Sequence, residues 1–147
     1  MPNTYSALYT HLVFSTKHRT PMISKEIKPR LFQYMGGICR NISCALVDAG
    51  GVADHVHLLV RRHPSKCESD IMRDVKANSS KWMKQFVPDF RWQDGGGAFS
   101  VGPQDLDSVR DYFSIQEEHH KSESFQDEYL KFLNKYDIEY DPRYVFE

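Results

Sequence analysis

The chain has 147 residues, 40% hydrophobic and 13% aromatic, which suits one domain with a core of its own. No apolar run approaches the roughly 20 residues of a membrane-spanning helix, and the N-terminus lacks the basic-then-apolar layout of a secretory signal. The net charge of −1 excludes a uniformly basic nucleic-acid binder, yet residues 1–116 hold 15 Lys and Arg against 11 Asp and Glu, while residues 117–147 hold 4 against 9. A mildly basic body thus carries an acidic end, and affinity for a polyanion follows the local patch rather than the total. The three cysteines, Cys39, Cys44 and Cys67, are odd in number, and a reducing cytoplasm is their expected setting. Neither spacing nor context supports a zinc site built from Cys39, Cys44 and histidines.

Residues 5–16 alternate as a strand does, with Tyr9, His11 and Val13 on one face and Leu8, Leu12 and Phe14 on the core side. Lys17-His18-Arg19 makes a basic turn. Ser24 suits the cap of a helical turn, and Pro29 fits near the start of a helix whose buried face is Ile27, Leu31, Met35 and Ile38, weakened at its end by Gly36-Gly37. A second strand is expected over 43–53, ending near Gly50-Gly51. A third follows at once, Asp54-His55-Val56-His57-Leu58-Leu59-Val60, closed by Arg61-Arg62-His63-Pro64. The spacing predicts a helix over 68–87 with Ile71, Val75, Trp82 and Phe86 as its stripe, and Lys76, Lys81 and Lys84 off it. Gly95-Gly96-Gly97 precedes a short strand, 98–101. Asp105 is placed to cap a helix running to about Lys121 with Leu106, Val109 and Phe113 inward. A last helix, 123–136, carries Phe125, Tyr129, Phe132 and Leu133, and residues 137–147 are expected to pack as an arm.

The order β-α-β-β-α-β-α-α begins as a split β-α-β, the ferredoxin-like or RRM-like α+β arrangement with an antiparallel sheet and helices on one face. The chain then divides into a core over about 1–104, a helix over 105–121, and a C-terminal helix and tail over 122–147. The open sheet face needs a cover or a task, and His11, His55 and His57 are placed on it.

His55 and His57 stand at i and i+2, so on a strand they point the same way, about 7 Å apart. Val56 and Leu58 point into the core. An isolated H-x-H is more often two histidines on a half-solvated strand; paired neutral imidazoles also suit a divalent metal. On the helix over 105–121, Tyr112 and Gln116 are i and i+4 and share a face, which His119 and His120 extend. The plain alternative is a tyrosine half buried against the sheet. Taken together, His55, His57 and Gln116 supply three metal ligands, and Tyr112 supplies a nucleophile one turn away. A phenol with a pKa near 10 is a weak nucleophile at neutral pH, and a metal on the scissile phosphate would stabilise the transition state. A tyrosyl phosphate conserves the energy of the broken diester, so this set suits strand transfer better than hydrolysis.

Four segments in order carry a resemblance: Tyr9-Thr-His-Leu-Val-Phe-Ser-Thr-Lys-His-Arg19, Asp54-His-Val-His-Leu-Leu-Val60, Trp92-Gln-Asp-Gly95 with Phe99-Ser-Val101, and Tyr112-x-x-x-Gln116 with Glu117-Glu-His-His120. The chain resembles the single-tyrosine HUH transposases of small bacterial insertion sequences and their relatives associated with repetitive extragenic palindromes. The resemblance implies a homodimer with a ferredoxin-like core, Mg²⁺ or Mn²⁺ on His55, His57 and Gln116, and attack by Tyr112 on single-stranded DNA at an element end. That attack would leave a 5′-phosphotyrosine and a 3′ hydroxyl. Relatives recognise a DNA hairpin, and their tyrosine helix often completes the partner subunit's site. They commonly carry an aromatic residue where this chain has Gly95-Gly96-Gly97, so that loop's DNA contact is not carried over. Candidate DNA contacts are Lys17, Arg19, Arg61, Arg62, Arg73 and Lys76; His11, His119 and His120 are candidates to line the site. Two other classes compete. One is a non-catalytic module holding hairpin DNA or RNA, against which Tyr112 speaks. The other is an HUH replication or conjugation initiator, against which the short chain without a second domain speaks.

Overall fold

The structure, a computed structural model, describes residues 4–147. Strands β1 (Tyr9–Ser15), β2 (Ala45–Val52), β3 (His55–Arg61) and β4 (Gly97–Val101) form one sheet in the order β2-β3-β1-β4, with every neighbouring pair antiparallel. This is the expected α+β, ferredoxin-like sheet. Helices α1 (Lys28–Asn41) and α2 (Glu68–Met83) cover one face. The shorter α3 (Leu106–Ser114), α4 (Gln116–His119) and α5 (Phe125–Lys135) lie on the other side.

Side-chain alternation divides β1 and β3 between the two faces. Leu12, Phe14, Val56, Leu58 and Val60 point towards α1 and α2, where they meet Leu31, Met35, Ile38, Ile71 and Val75 in one apolar core. The α1 stripe is as its spacing predicts, and the Ser24 hydroxyl accepts from the Ile27 backbone N–H at 3.2 Å at the helix entry. On the other face, Val13 and Phe99 pack with Phe125 and Leu133 of α5, and with Tyr140 and Val145 of the C-terminal arm.

Several boundaries differ from the sequence expectation. Helix α1 runs through Gly36-Gly37 to Asn41. The α2 stripe is Ile71, Val75, Ser79 and Met83, and the helix stops at Met83. Ser79 is tolerated inside because its hydroxyl accepts from the Trp92 indole N–H at 3.0 Å, while Phe86 lies beyond the helix and is exposed. Cys39 and Cys44 sit in the core beneath α1, across the sheet from the histidines, so they cannot join them around one ion. Gly50-Gly51 lies among the last residues of β2, which ends at Val52, near that pair as expected. Gly50 pairs with His57, and a Cβ there would stand 2.6 Å from the Phe113 carbonyl oxygen. The missing side chain is what lets α3 lie against the histidine face.

The helix expected over 105–121 is two helices. Ser114 spends its hydroxyl on the Asp111 carbonyl at 2.7 Å, the acceptor that Ile115 N–H would use in a continuous α-helix. Ile115 instead reaches only Tyr112 O, at 3.4 Å, and the chain turns there. Asp105 precedes α3 but its side chain makes no capping bond. The four-residue α4 is held from outside: Glu117 receives Lys28 Nζ of α1 at 3.0 Å, and that ammonium also donates to the Gly51 carbonyl. Arg110 of α3 reaches Asp48 of β2 at 3.5 Å.

Candidate active site

His55 and His57 project from the third strand on the side away from the apolar core, as their spacing requires, and both are fully buried. Val13 of the neighbouring strand pairs with His57 and Ser15 with His55, so the rings stand in a fixed register. Each ring is oriented through its outer nitrogen. His55 Nδ1–H donates to Asp54 Oδ1 at 2.8 Å, and His57 Nδ1 shares a 2.8 Å hydrogen bond with His11 Nε2. The inner Nε2 atoms then face the helices above.

The break at Ile115 aims Gln116 inwards. Its side chain is 1% exposed, its amide N–H donates to Tyr112 O, and its Oε1 lies 3.3 Å from His55 Nε2. Tyr112 lies at the end of the preceding helix, its ring edge-on to His57 with centroids 5.7 Å apart. His11, His55, His57, Tyr112 and Gln116 therefore meet within one chain. His119 and His120 come with them: His119 Nε2 is 3.5 Å from the Tyr112 hydroxyl, and His120 packs edge-on against His55 at 4.4 Å.

The residue that sequence reasoning missed is Glu128. It stands on the last helix among Phe125, Tyr129, Phe132 and Leu133, is 2% exposed, and places its carboxylate at the centre of the cluster. Oε1 lies 2.9 Å from His57 Nε2 and 3.4 Å from His55 Nε2. Oε2 accepts the Tyr112 hydroxyl and lies 3.1 Å from His120 Nε2. The legible signal was a single carboxylate set into an apolar stripe at helical spacing, where burial would strand a charge lacking partners. His55, His57, His120 and Glu128 each offer a ligand atom, all within 4.8 Å of one another.

These contacts set the protonation states. Burial pushes the Glu128 carboxyl up, but the neighbouring imidazoles of His120, His55 and His57 outweigh it and hold the group ionised. Burial pulls His55 down, yet Asp54 and Glu128 reverse it, and its pKa rises. For His57 burial prevails over Glu128 and the pKa falls; His11 falls further, through burial and then its neighbour His57. Tyr112 is pushed above its ordinary value by burial and by the Glu128 negative charge, so its phenol is neutral.

The donor set fits a divalent cation. Imidazole nitrogens, a carboxylate and an amide oxygen are ligands that such ions accept, and outer nitrogens tied to a carboxylate or a carbonyl are the usual second layer of a metal site. His120 Nε2 is buried without a hydrogen-bond partner, although it lies beside Glu128. A cleft of about 430 Å³ opens onto Tyr112 between β4, α3 and α5, bordered by Ser100, Ser108, Lys131, Lys135 and Tyr136.

The six basic residues nominated for DNA are dispersed, and several serve the chain itself. Lys76 Nζ donates to the carbonyls of Gln93 and Gly95 and so clamps the glycine loop. Gly96 packs there at φ +155° against Met72 and the Val13 carbonyl. Arg19 donates to Phe146 O and lies over its ring, fixing the C-terminal arm. Arg62 pairs with Glu68 at 2.9 Å, and the exposed Arg73 with Asp70 and Asp74. Arg61 donates to Ser6 O from an exposed position, and Lys17 lies half-buried in the turn after β1.

Residues 4–117 match the family described as transposase, IS200-like. Two solved structures share the fold. A Deinococcus radiodurans R1 protein described as a candidate transposase is 21% identical, with 79% of this chain and 95% of that one covered at a TM-score of 0.64. A REP-associated tyrosine transposase bound to a REP hairpin is 13% identical, with 82% of this chain and 73% of that one covered at a TM-score of 0.60. No curated protein matches the chain. No helix among the described residues is long and apolar enough to cross a membrane.

Proposed function

The chain belongs to the IS200-like transposase family, and from that premise we propose that it cleaves and rejoins single-stranded DNA through a 5′-phosphotyrosine on Tyr112. The observation that carries this reading is that Tyr112 and the His55/His57 pair, far apart in sequence, meet at one buried carboxylate beside an open cleft. His55, His57 and Gln116 would hold Mg²⁺ or Mn²⁺. Such an ion, when bound, offsets charge on the scissile phosphate and stabilises the transition state.

The chain's own residues supply the rest. Tyr112 Oη attacks phosphorus; the new O–P bond forms as the bond to the 3′ oxygen breaks. The phenol gives up its proton and the departing 3′ oxygen gains one. Joining reverses the step with a different 3′ hydroxyl, which displaces Tyr112 and restores the phenol. Packing against His57 and the bond to Glu128 hold the ring before attack, so positioning is achieved before substrate arrives. Burial keeps bulk water from the histidines, which favours exchange between strands over hydrolysis.

By this reading the substrate is single-stranded DNA that carries a hairpin near the cut, consistent with the hairpin held by the structural relative. A homodimer would bring two element ends together, each chain bearing a complete site, and the protein would act in the cytoplasm beside its DNA. The test is incubation with labelled single-stranded DNA carrying the hairpins that flank the gene, with Mn²⁺ or Mg²⁺. A covalent protein–DNA adduct is expected that disappears in Tyr112→Phe and on chelation. Absence of any adduct with wild-type protein on these substrates would overturn the reading.

A further inference from the structure

Beside His55, His57 and Gln116 stands one buried charge, Glu128, that the proposed ligand set does not include. The ion-pair partners of Glu128 among the described residues are all histidines, His55, His57, His119 and His120. The lysine nearest along its helix, Lys131, is turned to Glu123. A buried anion is costly unless a cation shares its site. Three ring nitrogens, Nε2 of His55, His57 and His120, converge on its carboxylate. His55 spends its Nδ1–H on Asp54 and His120 its Nδ1–H on the Glu123 carbonyl, at 2.8 and 2.7 Å. With Nδ1 so tied, each ring turns Nε2 towards the carboxylate. His120 Nε2 lies 3.1 Å from Glu128 Oε2, buried and without a hydrogen-bond partner. Three imidazole nitrogens and a carboxylate oxygen within 4.8 Å of one another are a donor set that one divalent ion can satisfy together.

Resting on the metal-dependent reading above, we propose that Glu128 is a direct ligand of the ion held by His55 and His57, with His120 a further nitrogen ligand. The two carboxylate oxygens divide the work. Oε1 faces the strand histidines, and Oε2 accepts the hydroxyl of Tyr112. One side chain thereby holds both ion and nucleophile where a single phosphate can reach them. A carboxylate also biases a histidine site towards hard cations such as Mg²⁺ and Mn²⁺. It makes the last helix part of the active site rather than a cover for the sheet.

The test is Mn²⁺ affinity of the full chain without DNA, followed by the electron paramagnetic resonance signal of the free ion. Glu128→Gln is expected to lose more than the roughly 10–100-fold that an outer-layer partner costs, and more than Gln116→Ala loses. Unchanged affinity in folded Glu128→Gln overturns the assignment of Glu128 while leaving the proposed function standing. Wild-type protein that binds no Mn²⁺ overturns both. If Glu128→Gln does not fold, Mn²⁺-loaded wild-type crystals decide by anomalous scattering. An ion bonded to Glu128 Oε1 as well as His55 and His57 supports the proposal; an ion on the two histidines with Glu128 turned away overturns it.

Discussion

The two faces of the sheet are made by the same strands and solve opposite problems. Towards α1 and α2 the alternate residues Leu12, Phe14, Val56, Leu58 and Val60 bury only hydrocarbon. On the other face the residues between them include His11, His55 and His57, buried as deeply but needing a partner for every polar atom. The apolar face can be repacked by any side chains of fitting volume. The polar face works only if rings, carboxylates and amide keep one arrangement, because a buried polar group without its partner is destabilising. One face is therefore expected to tolerate change at a cost in stability alone, and the other to lose chemistry first.

The largest contrast should come from adjacent residues of the third strand. His57→Ala is expected to abolish metal binding and adduct formation. Leu58→Ala should cost about 2–5 kcal/mol of stability, as cavity formation does, and leave adduct formation per folded molecule unchanged. Urea unfolding together with the adduct assay separates the two; loss of chemistry in both variants would dissolve the distinction between the faces. Gly50→Ala comes next. Its methyl group would meet the Phe113 backbone and push the tyrosine helix away from the sheet, and a displacement near 1 Å can cost roughly 100-fold in rate. Cleavage rates at saturating metal would show it. Asp54→Asn should weaken Mn²⁺ binding by roughly 10–100-fold, the cost of an outer partner, with little change in unfolding.

The smallest expected effect is on acid stability. Burial holds His11 and His57 below their ordinary pKa, so below about pH 6.5 the unfolded chain takes up protons that the folded chain does not. Their contribution is complete above that value and drains as pH falls. His55 is raised, so its contribution is already complete below pH 6.5 and is lost only as pH rises above it. The metal-free protein should therefore lose Tm between about pH 6.5 and 5, with a shallower slope in His11→Phe.

The apolar face was the more legible in sequence. Ile27, Leu31, Met35 and Ile38, and the alternation of β1 and β3, express a period that packing obeys. Misreadings fell where a local bond overrode the period: Ser79 entered the α2 stripe through Trp92, and Ser114 broke the tyrosine-bearing helix by taking the Asp111 carbonyl. On the polar face, His55, His57, Tyr112 and Gln116, which the fold brings together, were singled out by residue type and spacing, with a resemblance to order them. Glu128 was not, because a carboxylate within Phe125, Tyr129 and Phe132 has no spacing relation to a strand histidine some seventy residues earlier. Only the fold brings them together. The same holds for the basic residues, whose charges are readable in sequence while their partners, such as Glu68 for Arg62, are not.

The proposed strand transfer stands on Tyr112 as its nucleophile. The most direct measurement is to form the adduct on hairpin-bearing single-stranded DNA, trim it with nuclease, and map the modified residue by peptide mass spectrometry. A single 5′-phosphate linkage on Tyr112 is expected, released by a free 3′ hydroxyl with strand joining. A linkage on another residue, or cleavage that proceeds undiminished in Tyr112→Phe, would contradict it.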